Sequence, residues 1–232
     1  MTVEVCLTPD LINQFSLEGK IVVVIDIFRA TSSMVTGLSN GVKAIYPVAS
    51  VDACLAYGKK GMLTGGERGG KKLPEFDLGN SPFDYRSEKA RGQEVSMTTT
   101  NGTRAIAESK NADEVVIGSF LNLSATLDYL KEKAKPLILH CAGWKGSVNL
   151  EDTLFAGALI SRLTDYQPEN DAALLALDFY NFNKENLLEV SKKSSHAKRL
   201  SGFGVDKDIA FCLKEDLYKT VVVLDNEKLV AL

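Results

Sequence analysis

Apolar residues fall along this chain in two alternating rhythms. Short runs rich in Val and Ile recur at 3–7, 20–25, 43–48, 94–99, 114–118, 136–141 and 219–224. Their length suits strands, and β-branched side chains fit a pleated, buried surface. Between them, 30–40, 50–60, 103–110, 122–134 and 150–164 carry apolar residues at helical spacing. In the last segment Leu150, Leu154 and Ala158 form one stripe, and Phe155, Leu159 and Leu163 an adjoining one, as a helix with one buried face requires. The alternation predicts an α/β layered fold with a largely parallel or mixed sheet flanked by helices. Gly41 and Gly61 stand where two helices should end, and Pro136 where a strand should open.

Two segments break the rhythm. Residues 65–84, GGERGGKKLPEFDLGNSPFD, are rich in Gly and Pro and have little periodicity, and long loops of this kind in compact domains are usually functional or disordered. The stretch 166–219 predicts helices at 171–180, 184–192 and 206–214. It reads as a helical subdomain or cap on a single α/β domain spanning 1–232.

Charge and cysteine usage narrow the class of partner. A net charge of −3 and a pI near 5.5 give no electrostatic case for nucleic acid or an anionic membrane. Any anionic ligand must therefore be held by local features. The longest aliphatic run, Ile21 to Ile25, is far below the ~20 residues of a membrane helix. The N-terminus carries Glu4 and no signal-like apolar core. Cys6, Cys54, Cys141 and Cys212 lack CxxC spacing, which argues against a zinc site or a disulfide framework. The expectation is a cytoplasmic protein acting on a small molecule, without nucleic-acid or membrane partners; a homodimer is compatible with it.

Candidate chemistry gathers where strands end. IDIFRATSS (25–33), LTGGERGG (63–70), MTTTNGTR (97–104) and HCAGWKGSVNLED (140–152) each place polar residues or glycines just past a strand. In open α/β sheets that crevice is where ligands bind. Within MTTTNGTR, Asn101 or Thr103 can cap the next helix while Gly102 permits the turn. Capping leaves Thr98 and Thr99 unexplained, and a hydroxyl-lined turn suits phosphate oxygens. Asp26 ends an apolar strand and needs a partner there: an ion pair with Arg29 or a cap is the plain reading. The sharper one makes Asp26 a metal ligand and Arg29 a phosphate clamp. Glu151 and Asp152 open a helix behind Asn149, where acids are ordinary. Glu67, in a glycine-rich loop, has no such structural excuse.

Several well-known sites are excluded. Gly65 to Lys71 has P-loop spacing, but Lys72 replaces the Ser or Thr and Pro74 opposes a following helix. Cys141 has no arginine six residues on, so the cysteine-phosphatase loop is absent. Asp26-Ile27-Phe28 lacks the second aspartate of the phosphatases that form an aspartyl-phosphate. The only histidines, His140 and His196, are too few for a His-rich metal site, and His140 reads as a packed residue.

Taken together, DIFRATSS (26–33), GGERGG (65–70), DLGNSP (77–82), TTTNGTRA (98–105), GSFLN (118–122), CAG (141–143) and LEDTLFAGAL (150–159) resemble one family in content and order. It is that of the magnesium-dependent 2-phosphosulfolactate phosphatases of coenzyme M biosynthesis and their bacterial relatives. The resemblance implies a phosphoric monoester hydrolase needing Mg²⁺. It implies a site drawn from Asp26, Arg29, Glu67 and Arg68 for catalysis, and Asn80, Ser81, Thr99, Thr100, Asn101 and Gly102 for phosphate. Asp26, Glu67, Glu151 and Asp152 are the implied metal ligands. Electrostatics agrees, since a hard cation bridging carboxylates and phosphate relieves their repulsion. Two alternatives stay open: a phosphatase for another phosphorylated carboxylate or sulfonate, and a non-catalytic phospholigand-binding protein.

Overall fold

The computed structural model describes residues 1–202 and 205–232. Among them, strands β1 (Thr2–Cys6), β2 (Ile21–Ile25), β3 (Ala44–Pro47), β4 (Leu63–Gly66), β5 (Glu94–Thr98), β6 (Glu114–Gly118), β7 (Leu137–Cys141), β8 (Gln167–Pro168), β9 (Val222–Asp225) and β10 (Lys228–Ala231) form one sheet. Its order is β4-β5-β3-β10-β9-β6-β2-β7-β1-β8. The helices are α1 (Ala30–Ser39), α2 (Val51–Gly58), α3 (Gly102–Glu108), α4 (Leu123–Lys133), α5 (Leu150–Arg162), α6 (Asp171–Asn183), α7 (Leu187–Lys193), α8 (Ser195–Ser201) and α9 (Asp206–Cys212).

The α/β expectation holds, with a mixed sheet made of two parallel blocks. In the first, β2 lies between β6 and β7, with Ile25 level with Gly118 and Cys141. Three strands thus end side by side, and Asp26, Ser119 and Ala142 emerge together. β2 is buried on both faces: Ile21, Val23 and Ile25 enter one core, and Val22 and Val24 the other. This is why IVVVI is continuous rather than alternating. The second block is β4-β5-β3, with Gly66 level with Thr98.

A β9–β10 hairpin joins the blocks, antiparallel to β6 through Val116–Val223 and to β3 through Ile45–Leu229. Three successive antiparallel junctions reverse the second block relative to the first. The carboxyl ends of β2 and β5 meet nonetheless, because a Cβ on Gly102 would lie 2.8 Å from Asp26 Oδ2. The sheet is therefore curled, and α1 and α3 fill its hollow: Met34, Val35, Ala105 and Ile106 pack with Ile45, Val95 and Leu229. This curl brings the two blocks' loops to one cleft.

The segment 166–219 lies partly against α5 and partly over the cleft. α6 packs on α5, where a Cβ on Gly157 would stand 2.0 Å from the Ala176 carbonyl oxygen. α8, between the expected helices, starts on a Ser194 cap to the Ala197 N–H. Residues 203 and 204 of this segment lie outside the described residues. No described helix is long and apolar enough to cross a membrane.

Candidate active site

Asp26 stands at the mouth of β2 in a turn that its own downstream hydroxyls close. Thr31 Oγ1 accepts from the Asp26 N–H (3.1 Å) and donates to its carbonyl (2.9 Å). Ser32 Oγ donates to the Ile27 carbonyl and meets Ser119 Oγ at 3.0 Å, stitching β2 to the GSFLN turn after β6. The Asp26 side chain is almost wholly enclosed, and its Oδ1 receives only a long 3.3 Å contact from the Ala30 N–H. Oδ2 accepts no hydrogen bond among the described residues and borders the cleft. Burial pushes this carboxyl up to about 6, His196 pulls it back, and Glu67 and Glu151 add to the rise.

The opposite wall comes from β4 and β5. The Glu67 carboxylate accepts the Thr100 N–H (2.7 Å) and the Gly70 N–H (2.5 Å), tying the glycine-rich loop to the threonine turn. In that turn the capping partner is Thr99, not Asn101. Thr99 Oγ1 accepts from the Thr103 N–H and Thr103 Oγ1 from the Thr99 N–H, both at 3.1 Å. Thr99 is thereby turned into the fold, while Thr100 and Asn101 line the cleft.

Gly102 serves close approach rather than a left-handed turn. It is the first residue of α3, and a Cβ there would fall 2.6 Å from Ala30 Cβ and 2.8 Å from Asp26 Oδ2. Gly102→Ala is expected to cost about 1–3 kcal/mol through overpacking and to displace Asp26. Urea unfolding and kinetics would check it; an unchanged midpoint with full activity would remove the packing argument.

Glu151 and Asp152 are adjacent and do different work. Asn149 caps α5 by accepting the Asp152 N–H (3.1 Å). The Asp152 carboxylate turns under the site, taking N–H groups from Ile27 (2.8 Å), Gly143 (3.2 Å) and the Asn149 amide (3.0 Å). It fastens the β2 turn to the β7–α5 loop. Its own burial, with Asp26 and Glu151 nearby, raises this carboxyl well above its ordinary value against the pull of those donors. Glu151, fully buried, holds His196 Nδ1 at 2.6 Å through Oε1.

The remaining expected residues divide. Arg29 lines the cleft, its Nη1 paired with Asp208 of α9 and its Nη2 3.4 Å from the Gly70 carbonyl. Asn80 also lines it, with Oδ1 buried and lacking a hydrogen-bond partner among the described residues. Arg68 turns away to the carbonyls of Glu67 and Ala49 and to Thr98 Oγ1. Ser81 borders a neighbouring groove with Lys71, Lys72 and Asp84. The cleft thus gathers Asp26, Arg29, Glu67, Asn80, Thr100 and Asn101.

Its third wall joins the strand-end stretch that carries Trp144 and Lys145 to His196 and Arg199, which were not anticipated from sequence. Trp144 and Ser147 pair across a two-residue turn with positive φ at Lys145 (52°) and Gly146 (76°). The Trp144 ring stacks on His196, centroids 5.9 Å apart and 7° from parallel, and the Arg199 guanidinium lies 4.9 Å from its centre. Arg199 also donates to the Gly69 carbonyl (2.8 Å), closing the wall onto the glycine-rich loop. Lys145, Arg199 and Arg29 face a cleft that also holds Asp26 and Glu67. His140, by contrast, is buried on β7 against Ser109.

Comparison with known proteins finds relatives along nearly the whole chain. The family described as 2-phosphosulpholactate phosphatase matches residues 6–227. A protein of Thermotoga petrophila, named "Probable 2-phosphosulfolactate phosphatase", is 46% identical over 210 residues, covering 90% of this chain and 91% of that one. Proteins of the same name from Caldanaerobacter subterraneus subsp. tengcongensis and Clostridium acetobutylicum are 38% and 36% identical. They cover 94% and 97% of this chain, and 93% and 98% of their own lengths. With agreement running through both sheet blocks and the helices over the cleft, the chain belongs to the 2-phosphosulfolactate phosphatase family.

Proposed function

We propose that this protein is a Mg²⁺-dependent phosphatase of a small phosphorylated acid, with 2-phosphosulfolactate the leading substrate and sulfolactate and phosphate the products. The observation that carries the reading is the cleft itself. Asp26, with one carboxylate oxygen unengaged, faces a wall of Glu67, Thr100 and Asn101 across a space ringed by Arg29, Lys145 and Arg199. Cations at the rim suit a multiply charged acid, while the inner carboxylates need a countercharge before a phosphate can approach them. The names of the relatives support the substrate.

The donors present fit a hard cation. Asp26, Glu67 and Asn80 all line one cleft and bring only oxygen donors to it, among them an Asn80 Oδ1 with no hydrogen-bond partner among the described residues. No group of three or more His, Cys, Asp or Glu among the described residues is arranged to enclose a metal. Mg²⁺ typically takes one or two carboxylates, several waters and substrate phosphate rather than a protein cage. Asp26, Glu67 and Asn80 would hold the ion, which supplies charge neutralisation at the phosphoryl oxygens when bound. Asp152 and Glu151 support this set, the first by fixing the β2 turn and the second through His196. Thr100 and Asn101 orient the phosphoryl group, and Arg29, aligned by Asp208, meets its developing charge. A cytoplasmic setting belongs to the same proposal, with all four cysteines present as free thiols.

The test is phosphate release from a panel of phosphorylated sulfonates and carboxylates, with Mg²⁺ or with EDTA. Turnover of 2-phosphosulfolactate that stops in EDTA and returns with Mg²⁺ is the expected result. Turnover of other esters alone would keep the chemistry and discard the substrate. Stoichiometric binding without turnover would decide for a binding protein.

A further inference from the structure

The Glu151–His196 pair has so far figured only as a support for the cleft. Both side chains are enclosed, at 0% and 4% exposure, and they come from helices 45 positions apart in sequence. The imidazole is fixed on three sides. Glu151 Oε1 holds Nδ1 at 2.6 Å, Trp144 stacks on one face, and Phe28 packs at 52° with centroids 6.5 Å apart. Nε2 makes no hydrogen bond among the described residues, and the ring lines the cleft. A buried carboxylate behind a histidine fixes the tautomer and the orientation of the ring. For purely structural packing, a histidine held this way beside a cleft, with its other nitrogen unengaged among the described residues, is an odd choice.

Position decides what that nitrogen can serve. Glu67, Thr100, Asn101 and Asn80 form the polar side of the cleft suited to the phosphoryl group. His196 sits on the wall of Trp144, Phe28 and Leu200, which suits the carbon part of a substrate and the ester oxygen attached to it. Hydrolysis of an alkyl phosphate expels an alkoxide, a poor leaving group in need of a proton. The charged groups around the ring are Glu151 and Asp26 on the acidic side and Arg199 and Lys145 over Trp144 on the basic side.

Resting on the phosphatase reading above, we propose that His196 is the general acid of the reaction, protonating the ester oxygen as it leaves, with Glu151 as its positioning residue. The step balances without another reagent. Water oxygen bonds to phosphorus, and the bond from phosphorus to the ester oxygen breaks with its electron pair passing to that oxygen. The Nε2 proton joins the oxygen to give the alcohol. One proton of the water leaves to solvent, and solvent restores the proton on Nε2.

The leaving group supplies the test. His196→Asn keeps an amide near the Nδ1 position for Glu151 but removes the donor at Nε2. Wild type and variant are compared on an alkyl phosphate and on a nitrophenyl phosphate, whose leaving group needs no proton, with thermal melting to verify folding. The expected result is a fall in kcat on the alkyl ester of about 10²–10⁴-fold, with the aryl ester changed much less. Glu151→Gln should lower the alkyl rate in the same selective manner, by less. An equal loss on both esters would overturn the acid role and leave His196 structural, and no loss on either would remove it from the chemistry. A wild-type protein inert on both esters would overturn the phosphatase reading itself, and this proposal with it. If His196→Asn does not fold, His196→Gln is put through the same comparison, with the same outcomes deciding.

Discussion

Asp26→Asn should lower kcat by about 10²–10³-fold and, in metal-free protein above pH 7, raise thermal stability. Both effects come from one carboxylate. Its folded-state value near 6 lies above the ordinary 3.8, so the folded protein keeps a proton that the unfolded chain has already released. Its stabilising contribution is fully present below pH 3.8 and is lost as pH rises through 6. Above that, the enclosed carboxylate opposes folding by up to about 3 kcal/mol. Asn carries no charge to desolvate, so its gain appears at pH 8 and disappears at pH 4. The same neutralisation removes the negative charge that would draw a cation and balance its charge at the phosphoryl group, a contribution of several kcal/mol to the transition state. Melting curves at the two pH values, paired with phosphate release at saturating Mg²⁺, read both halves. A variant that is less stable at pH 8 would contradict the burial argument. One with wild-type kcat would remove Asp26 from the chemistry.

The fold was legible wherever a strand carries its own signature. IVVVI, EVVIG and LILHC announce β2, β6 and β7 because each is buried by layers on both faces, so apolarity alone marks them. β4 reads LTGG and gives no such mark. It is a strand because β5 lies beside it and Leu78 bridges Gly65 from the far side. β10 is short and follows a tight turn at Asn226, and its place between β3 and β9 is a long-range fact. The reversal between the two blocks could not be read locally either, since strand direction leaves no trace in a strand's own residues.

The site divides in the same way. Strand-end position pointed to Asp26, Glu67, Thr100 and Asn101, which the curled sheet brings to one cleft. It could not separate Glu151 from Asp152, whose paths differ by one step of a helix and end at His196 and at Ile27. Nor could it separate Thr99 from Thr100, because the reciprocal bonds with Thr103 depend on how the α3 turn closes. His196 carried no local signal, and Trp144 was marked only as part of the strand-end stretch HCAGWKGSVNLED. SSHAK is an ordinary surface sequence until its ring lies on the ring of Trp144.

Gly66→Ala should be the most damaging single methyl group in the site. Gly66 ends β4 at φ +121°, a conformation closed to side-chain-bearing residues, and a Cβ there would stand 1.9 Å from the Thr98 carbonyl oxygen and 2.8 Å from its carbon. Both obstacles are backbone atoms of the neighbouring strand, so no rotamer change relieves them. β4 would have to pull away from β5, breaking the Glu67 N–H bond to Thr98 (3.1 Å) and the Gly66 N–H bond to Gly79 (3.1 Å). Strained backbone and overpacking together suggest a loss of about 3–5 kcal/mol. Glu67 moves with its strand and releases the Thr100 and Gly70 N–H groups, so the folded fraction should lose activity too. Gly69→Ala is the matched control. Gly69 also has positive φ, 63°, yet nothing lies within 4 Å of its Cβ position, so only the left-handed penalty of about 1–2 kcal/mol applies. Urea midpoints and phosphate release for both variants separate strain from collision. Equal losses in the two would mean that backbone conformation alone accounts for Gly66, and that the approach of β4 to Thr98 has room to spare.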